Sequence, residues 1–231
     1  MPIFDRFIRY EWAEHALALA LNGDSPSELR TWLAAQGLGA ESARRTANLL
    51  THLWFPSTHQ GQSFRQEAFA LYSSSSWREH LALHWGMALW TFPTFHETIR
   101  ICGRLLHLQG WFYRKDVVNR VLEKHSNQST IKRAAERILQ TLTDWKVLEK
   151  SKHQYCLSSP VFVERPELAA WIFRSLLETT PEQYILKTDL LAAGEFFPFH
   201  FVDSTVLFQD IPQFVLLRNS DGDELVGLQS T

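Results

Sequence analysis

The chain has 231 residues, 45% of them hydrophobic and 21% charged, and a net charge of −2. This balance excludes wholesale disorder, and the length allows one large domain or two small ones. Because two cysteines exclude a disulfide framework and no apolar run is long enough to cross a bilayer, we expect a cytoplasmic protein without membrane contact.

Residues 1–94 are predicted to form an N-terminal helical region. Apolar residues recur every three or four positions over 4–21, which predicts one helix. A capping-box pattern at Ser25 predicts a second helix to about Gln36, and a third follows over Glu41–His52.

The rest of this region is predicted as a loop and two further helices. The loop covers 56–63, and a helix then begins near Phe64 and pauses at Ser73–Ser76. The next helix runs from Trp77 to the break at Pro93.

A helix-turn-helix pattern covers Ser27–Leu53, with a glycine-containing turn between its helices. Arg44 and Arg45 lie in the second of these helices and are candidate DNA contacts. Antiparallel helix pairs with a glycine turn are common in helical domains, so a structural role for the pair is the favoured alternative.

Basic residues are concentrated in one segment of an otherwise acidic chain. Ile99–Lys152 contains 12 Lys and Arg against 5 Asp and Glu, a balance of +7, whereas the remainder contains 11 against 20, a balance of −9. This segregation is typical of a nucleic-acid-binding module, although a solvated basic helix gives the same pattern.

Within a predicted middle domain at 95–160, residues 112–158 follow the element order of a winged helix-turn-helix. After a helix over Phe95–Leu108, a short helix with valines on one face ends at the polar turn His125–Gln128. A second amphipathic helix follows, running to about Trp145.

Two predicted strands, Val147–Lys150 and Gln154–Leu157, flank a basic tip and complete the pattern of a wing. This segment resembles the winged-helix superfamily, whose exposed helix face offers guanidinium, ammonium and amide donors to phosphates and base edges. Glu136 and Asp144 weaken the case, because they would repel phosphate if they faced it. The candidate contacts are Arg114, Lys115, Ser129, Lys132, Arg133, Arg137, Gln140, Lys150, Lys152 and His153.

Residues 161–231 form the third predicted region, with helices at Pro166–Glu178 and Pro181–Ala193. Around an acidic turn lie β-like runs that predict at least one hairpin. These runs are Thr205–Phe208, Phe214–Leu217 and Leu225–Leu228. The expected fold class is mainly α: a helical domain that contains a winged helix-turn-helix, with a small C-terminal β-hairpin element.

The sequence contains no Gly-rich phosphate loop, nucleophile elbow or metalloprotease motif, so we expect no catalytic activity, cofactor or metal. His80 and His84 lie four residues apart on one helix and are a conceivable chelate, but interface or partly buried histidines are the favoured interpretation. The acidic turn at 219–224 lacks the spacing of a calcium loop.

The order of these elements, with the phrases SARRT (residues 42–46) and DWKVLE (residues 144–149), resembles the BrxA-type accessory proteins of BREX phage-defence loci. This resemblance implies a small, mostly helical, non-enzymatic nucleic-acid binder. We therefore expect double-stranded DNA as a partner, and the sequence leaves open other components of a defence complex and a homodimer. Two alternatives remain: a transcription regulator with a helical ligand-binding or dimerisation region, and a protein-docking scaffold.

Overall fold

The structure, a computed structural model, describes residues 2–55, 62–72, 76–126, 128–202, 208–209 and 211–229. This part of the chain is mainly α-helical, as predicted, and contains ten α-helices and eight short strands. None of these helices combines the length and the apolar character that crossing a membrane requires. Three predictions fall mostly outside the described residues: the loop at 56–63, the pause at Ser73–Ser76 and the run Thr205–Phe208.

Six helices form the N-terminal part of the fold. They are α1 (Tyr10–Asn22), α2 (Pro26–Ala35), α3 (Ala40–Trp54), α4 (Gln62–Tyr72), α5 (Trp77–Thr91) and α6 (Pro93–Gln109). The predicted capping box is present at α2, where the backbone N–H of Ser25 donates to the carboxylate of Glu28 at 2.8 Å. This contact satisfies one of the free N–H groups at the start of the helix.

The prediction of a helix over 4–21 is wrong in its first third, because α1 begins at Tyr10. Phe4 and Ile8 are fully buried in a non-helical segment. Their backbone N–H groups donate to the hydroxyl oxygens of Thr94 (3.2 Å) and Thr141 (3.0 Å), which lie on other helices. Long-range bonds therefore replace the helical bonds that the apolar period predicts.

Three helices and three strands follow one another in the middle of the chain. After α6 come β1 (Trp111–Tyr113), α7 (Arg114–Leu122), α8 (Gln128–Asp144), β2 (Leu148–Ser151) and β3 (Gln154–Leu157). The strands form an antiparallel sheet in the order β1-β3-β2. Helix α8 packs on α6, α7 and β2, so the sheet and the helices share one core. The pairing of β1 was not predicted.

In the residues that the structure describes, the C-terminal part adds five strands, two helices and a 3-10 turn. These are β4 (Val161–Val163), α9 (Pro166–Leu177), β5 (Tyr184–Leu186), α10 (Lys187–Leu191), the 3-10 turn Gly194–Phe196, β6 (Phe199–Phe201), β7 (Phe214–Arg218) and β8 (Glu224–Leu228). Strands β4 and β6 pair in parallel, and β5, β8 and β7 form an antiparallel sheet in that order.

The predicted helix Pro181–Ala193 is wrong over its first half, where the chain forms β5. Tyr184 pairs with Gly227 of β8, and a Cβ atom at Gly227 would lie 2.5 Å from the Tyr184 ring. The glycine therefore lets the ring lie against the backbone of the neighbouring strand.

One cluster of buried side chains runs through all of these parts, from Phe4 to Val226. Trp171 of α9 stacks on Phe64 of α4, with ring centroids 4.5 Å apart. The indole N–H of Trp85 on α5 donates to the carbonyl oxygen of Glu195 at 2.9 Å. These contacts fix the C-terminal part against α4 and α5.

Candidate nucleic-acid interface

Helix α8 has one buried and one exposed face. The buried residues recur every three or four positions, as the sequence predicted for the apolar stripe: Ile131, Ala134, Ala135, Ile138, Leu139, Thr141 and Leu142. Lys132, Arg133, Arg137 and Gln140 are exposed between these positions. The Nη1 atom of Arg137 donates to Oε1 of Gln140 at 2.7 Å, which holds a guanidinium beside an amide.

All twelve residues predicted to contact DNA are exposed. Ten of them lie on α7, α8 and the β2–β3 hairpin, and together they define the basic surface: Arg114, Lys115, Ser129, Lys132, Arg133, Arg137, Gln140, Lys150, Lys152 and His153. Seven of the ten are lysines or arginines. The structure thus brings together residues that are up to 39 positions apart in the sequence.

The two acidic residues of α8 are both engaged by neighbouring groups. The carboxylate of Asp144 accepts the backbone N–H of Tyr10 at 2.8 Å, where α1 begins. A negative charge at a helix N-terminus is favourable, so Asp144 serves to attach α1. Glu136 is half-buried, and its Oε1 lies 3.9 Å from Nη1 of Arg114. Of these two carboxylates, that of Glu136 is therefore the one that borders the basic surface.

The start of α7 and the hairpin enclose a surface cleft of about 410 Å³. Six of the described residues line it: Tyr113, Arg114, Lys115, Lys150, His153 and Tyr155. The Nζ atom of Lys115 lies 5.5 Å from the ring centroid of Tyr113, and that of Lys150 lies 5.8 Å from the ring centroid of Tyr155. These aromatic faces hold the ammonium groups at the edge of the cleft.

The pairing of β1, β3 and β2 builds this cleft. Tyr155 lies opposite Phe112 on one side and opposite Lys150 on the other. Burial raises the pKa of Tyr155, an effect that the nearby charge of Arg114 partly offsets, so the phenol stays protonated at neutral pH. Tyr155 was not among the predicted contacts, because its position depends on strand register, which the sequence does not display.

The tip of the hairpin has an unfavourable backbone conformation. Ser151 pairs with Gln154, so the loop consists of Lys152 and His153 alone. Lys152 has a φ angle of 53°, in the left-handed region that favours glycine. In the described part of the chain, only Lys146, with a φ angle of 59°, shares this property among residues other than glycine.

Arg44 and Arg45 lie apart from the basic surface. They are on α3, which packs on α1, α2 and α5. Both guanidinium groups bond to Glu41 on the same helix, Arg44 through Nε at 2.8 Å and Nη2 at 2.9 Å and Arg45 through Nε. These bonds lower the pKa of Glu41 to about 2. The glutamate therefore offsets part of the positive charge on this helix.

His80 and His84 share one carboxylate. Nδ1 of His80 lies 3.2 Å from Oε2 of Glu14, and Nε2 of His84 lies 2.7 Å from Oε1 of Glu14. Within the ranges that the structure describes, no three His, Cys, Asp or Glu side chains are grouped so as to hold a metal ion.

Comparison with known proteins yields no relative: no family model, no curated protein and no solved structure matches this chain.

Proposed function

We propose that this protein is a non-enzymatic DNA-binding accessory protein that contacts duplex DNA through the basic surface. In this proposal α6, β1, α7, α8 and the β2–β3 hairpin form a winged helix-turn-helix module with α8 as its recognition helix. The observation that carries the proposal is the grouping of seven Lys and Arg side chains, all exposed, on α7, α8 and the adjoining hairpin.

Helix α8 has the dimensions and the chemistry for the major groove. A groove about 12 Å wide admits one α-helix. Lys132, Arg133 and Arg137 then reach phosphates or base edges, and the Arg137–Gln140 pair presents both donors and acceptors to a base. The hairpin tip with Lys152 and His153 reaches the neighbouring phosphates. Neutralised phosphates release counterions, so binding weakens steeply as salt rises.

The biological setting that we propose is a bacterial phage-defence system of the BREX type, acting in the cytoplasm. Its support is the sequence resemblance carried by SARRT and DWKVLE, which lie on α3 and across the junction of α8 and β2. A methyltransferase, a large ATPase and a phosphatase-like protein encoded beside this chain are expected in that setting. A neighbourhood without them would count against it.

The test of DNA binding is fluorescence anisotropy of a labelled duplex titrated from about 50 to 200 mM salt. We expect the double variant Arg133→Glu plus Arg137→Glu to bind about tenfold or more weakly than the wild type, with a salt slope smaller by about two. The matched control is Arg30→Glu plus Arg218→Glu, which makes the same charge change at exposed positions of α2 and β7.

The control distinguishes the assigned surface from the net charge of the protein. Equal loss of affinity in the two double variants would reject the basic surface as the binding site. A wild-type protein without measurable affinity at about 50 mM salt would reject the function itself.

A further inference from the structure

A second cleft, far from the hairpin in sequence, lies against α6. Its volume is about 650 Å³, and we call it the α6 cleft. Its floor is one face of the helix, formed by Pro93, His96, Glu97 and Arg100. The end of α9 and the β5–α10 segment form its walls. Clefts that hold small organic molecules have volumes of roughly 300–1,000 Å³, so the α6 cleft is of sufficient size.

The walls of the α6 cleft are partly apolar. Leu176, Ile185 and Leu190 contribute aliphatic surface, and Tyr184 contributes an aromatic ring. Apolar walls with a few converging polar groups are the usual composition of a small-molecule site.

The charged groups of the α6 cleft are predominantly acidic. Among the described residues that line it, four carry a carboxylate and Arg100 is the one Lys or Arg. The carboxylate of Glu195 is already engaged, since its Oε1 lies 3.0 Å from Nε2 of His96 and 3.9 Å from Nε of Arg100. The other three carboxylates, Glu97, Glu182 and Asp189, add to the negative potential of the cleft.

We propose that the α6 cleft binds a small organic cation, an ammonium group attached to an apolar body. The ammonium lies between the carboxylates of Glu97 and Asp189, and the apolar body lies against Leu176, Ile185 and the Tyr184 ring. The aromatic ring adds attraction for a cation. An anion of the same size meets repulsion from the same carboxylates.

Glu97 also connects this cleft to the turn before α8. Its Oε2 lies 2.6 Å from Nε2 of His125, and the Glu97 side chain is only 14% exposed. An ammonium that binds Glu97 competes with His125 for the carboxylate. Release of His125 loosens the connection between α6 and the N-terminal end of α8, where Ser129 and Lys132 lie. A cation bound in the α6 cleft therefore lowers the affinity for DNA. This consequence rests on the proposed function.

The binding step is tested without DNA, by calorimetry and by backbone amide NMR with three probes of equal length: hexylammonium, hexan-1-ol and hexanoate. We expect hexylammonium to bind most tightly, hexan-1-ol more weakly, and hexanoate not at all. Glu97→Gln and Asp189→Asn each weaken hexylammonium binding by about three- to tenfold, because each removes one carboxylate charge. Glu123→Gln, at the exposed C-cap residue of α7, is the control and leaves binding unchanged.

The connection to α8 has its own readout in the same titration. Hexylammonium shifts the amide signals of Ser126 and Ser129 in the wild type and in Asp189→Asn, but not in Glu97→Gln. Equal binding of hexylammonium and hexanoate, or binding that both carboxylate variants leave unchanged, overturns the proposed site. Binding without any shift at Ser126 and Ser129 overturns the connection.

A last measurement separates this inference from the proposed function. DNA affinity is compared in hexylammonium and in methylammonium at equal concentration, because methylammonium has the charge without the apolar body. We expect hexylammonium to weaken DNA binding several-fold more, and by linkage DNA weakens hexylammonium binding by the same factor. Normal DNA binding with an empty cleft refutes the cleft alone, whereas hexylammonium binding without DNA affinity refutes the DNA-binding function alone.

Discussion

The indole Nε1 of Trp145 donates a hydrogen bond to the backbone carbonyl oxygen of Ile8, 137 positions earlier in the chain, at 3.1 Å. Both residues are buried, and the ring of Trp145 also contacts Tyr10 edge-to-face at 6.3 Å. The extended segment before α1 therefore fastens the C-terminal end of α8. Through this contact the N-terminal region helps to hold α8, the helix that we propose to enter the major groove, in its place.

Trp145→Phe tests this contact, because it keeps an aromatic ring but removes the N–H group. The Ile8 carbonyl is left buried without its donor, and we expect the free energy of unfolding to fall by about 1–3 kcal/mol. Trp32→Phe is the control, since the Trp32 ring is half-buried against His15. Urea unfolding measures both variants, and an equal, small effect would contradict the role of the Trp145 contact.

Gly103→Ala is expected to destabilise the fold although it lies within a helix, where alanine normally improves stability by about 0.5–1 kcal/mol. A Cβ atom at Gly103 would lie 1.9 Å from the carbonyl oxygen of Gly194, which belongs to the backbone of the 3-10 turn. We expect a loss of about 1–3 kcal/mol, typical of overpacking.

The control for this variant is Gly39→Ala, where an added Cβ meets nothing within 4 Å. Gly39 precedes α3, so the control costs at most about 1 kcal/mol as a less favourable N-cap. Thermal unfolding measures the stability of both variants. A Gly103→Ala protein that is more stable than the wild type would mean that α6 and the 3-10 turn are not in close contact.

The sequence predicts those elements of the fold that depend on contacts between residues close together in the chain, and it misses those that depend on distant partners. The apolar stripe of α8 was predicted correctly, because a period of three to four residues is local information. Strand β5 was missed, because Tyr184 is extended only through its pairing with Gly227 in β8. The non-helical segment at Phe4 and Ile8 was missed for the same reason, since its partners Thr94 and Thr141 are distant in sequence.

The same distinction applies to the candidate interface. The basic residues of α8 were identified from composition and helical period, which place them on one face. The cleft between α7 and the hairpin was not predicted from the sequence, because it depends on the strand register that sets Tyr155 opposite Lys150. The α6 cleft is formed by segments that are separated along the chain, so no single stretch of sequence indicates it.

The network of Glu14, His80 and His84 predicts that acid weakens the fold. The ring of His84 is completely buried beside Tyr10, Trp54 and Trp145, and this burial lowers its pKa below the ordinary value of 6.5 despite the hydrogen bond to Glu14. The unfolded chain therefore takes up a proton at His84 at a higher pH than the folded protein does. As pH falls below about 6.5, the free energy of unfolding decreases, by about 1.4 kcal/mol for each unit of pKa difference.

Glu14 extends this trend to lower pH. Burial alone would raise its pKa, but the hydrogen bonds and charges of His84 and His80 outweigh burial and lower it below 4.5. The stability that Glu14 contributes is present above that value and is lost as pH falls through its pKa in the folded protein. Tyr10 and Tyr72 also adjoin the carboxylate, and burial together with its charge raises the pKa of both, so they remain neutral throughout.

His84→Gln keeps a donor for Glu14 but does not titrate. We expect it to reduce the decline of stability between about pH 6.5 and 5.5, measured by urea unfolding at several pH values. His107→Gln, at an exposed position of α6, is the control and leaves the decline unchanged. A decline of equal size in all three proteins would assign the acid sensitivity to other groups.

Lys152→Gly separates stability from DNA binding at the hairpin tip. The φ angle of 53° is unfavourable for lysine and unhindered for glycine, so we expect a gain in unfolding free energy of about 0.5–1 kcal/mol after the greater freedom of the unfolded chain is counted. The same change removes one ammonium from the basic surface and reduces the salt slope of DNA binding by about one.

The matched control is Lys146→Gly. It relieves the same backbone conformation, at φ 59°, just after the end of α8 that packs on the N-terminal segment. We therefore expect both variants to gain stability but only Lys152→Gly to lose DNA affinity, as measured by thermal unfolding and fluorescence anisotropy. Loss of affinity in both variants would extend the basic surface to the C-terminal end of α8, and loss in neither would remove the hairpin tip from it.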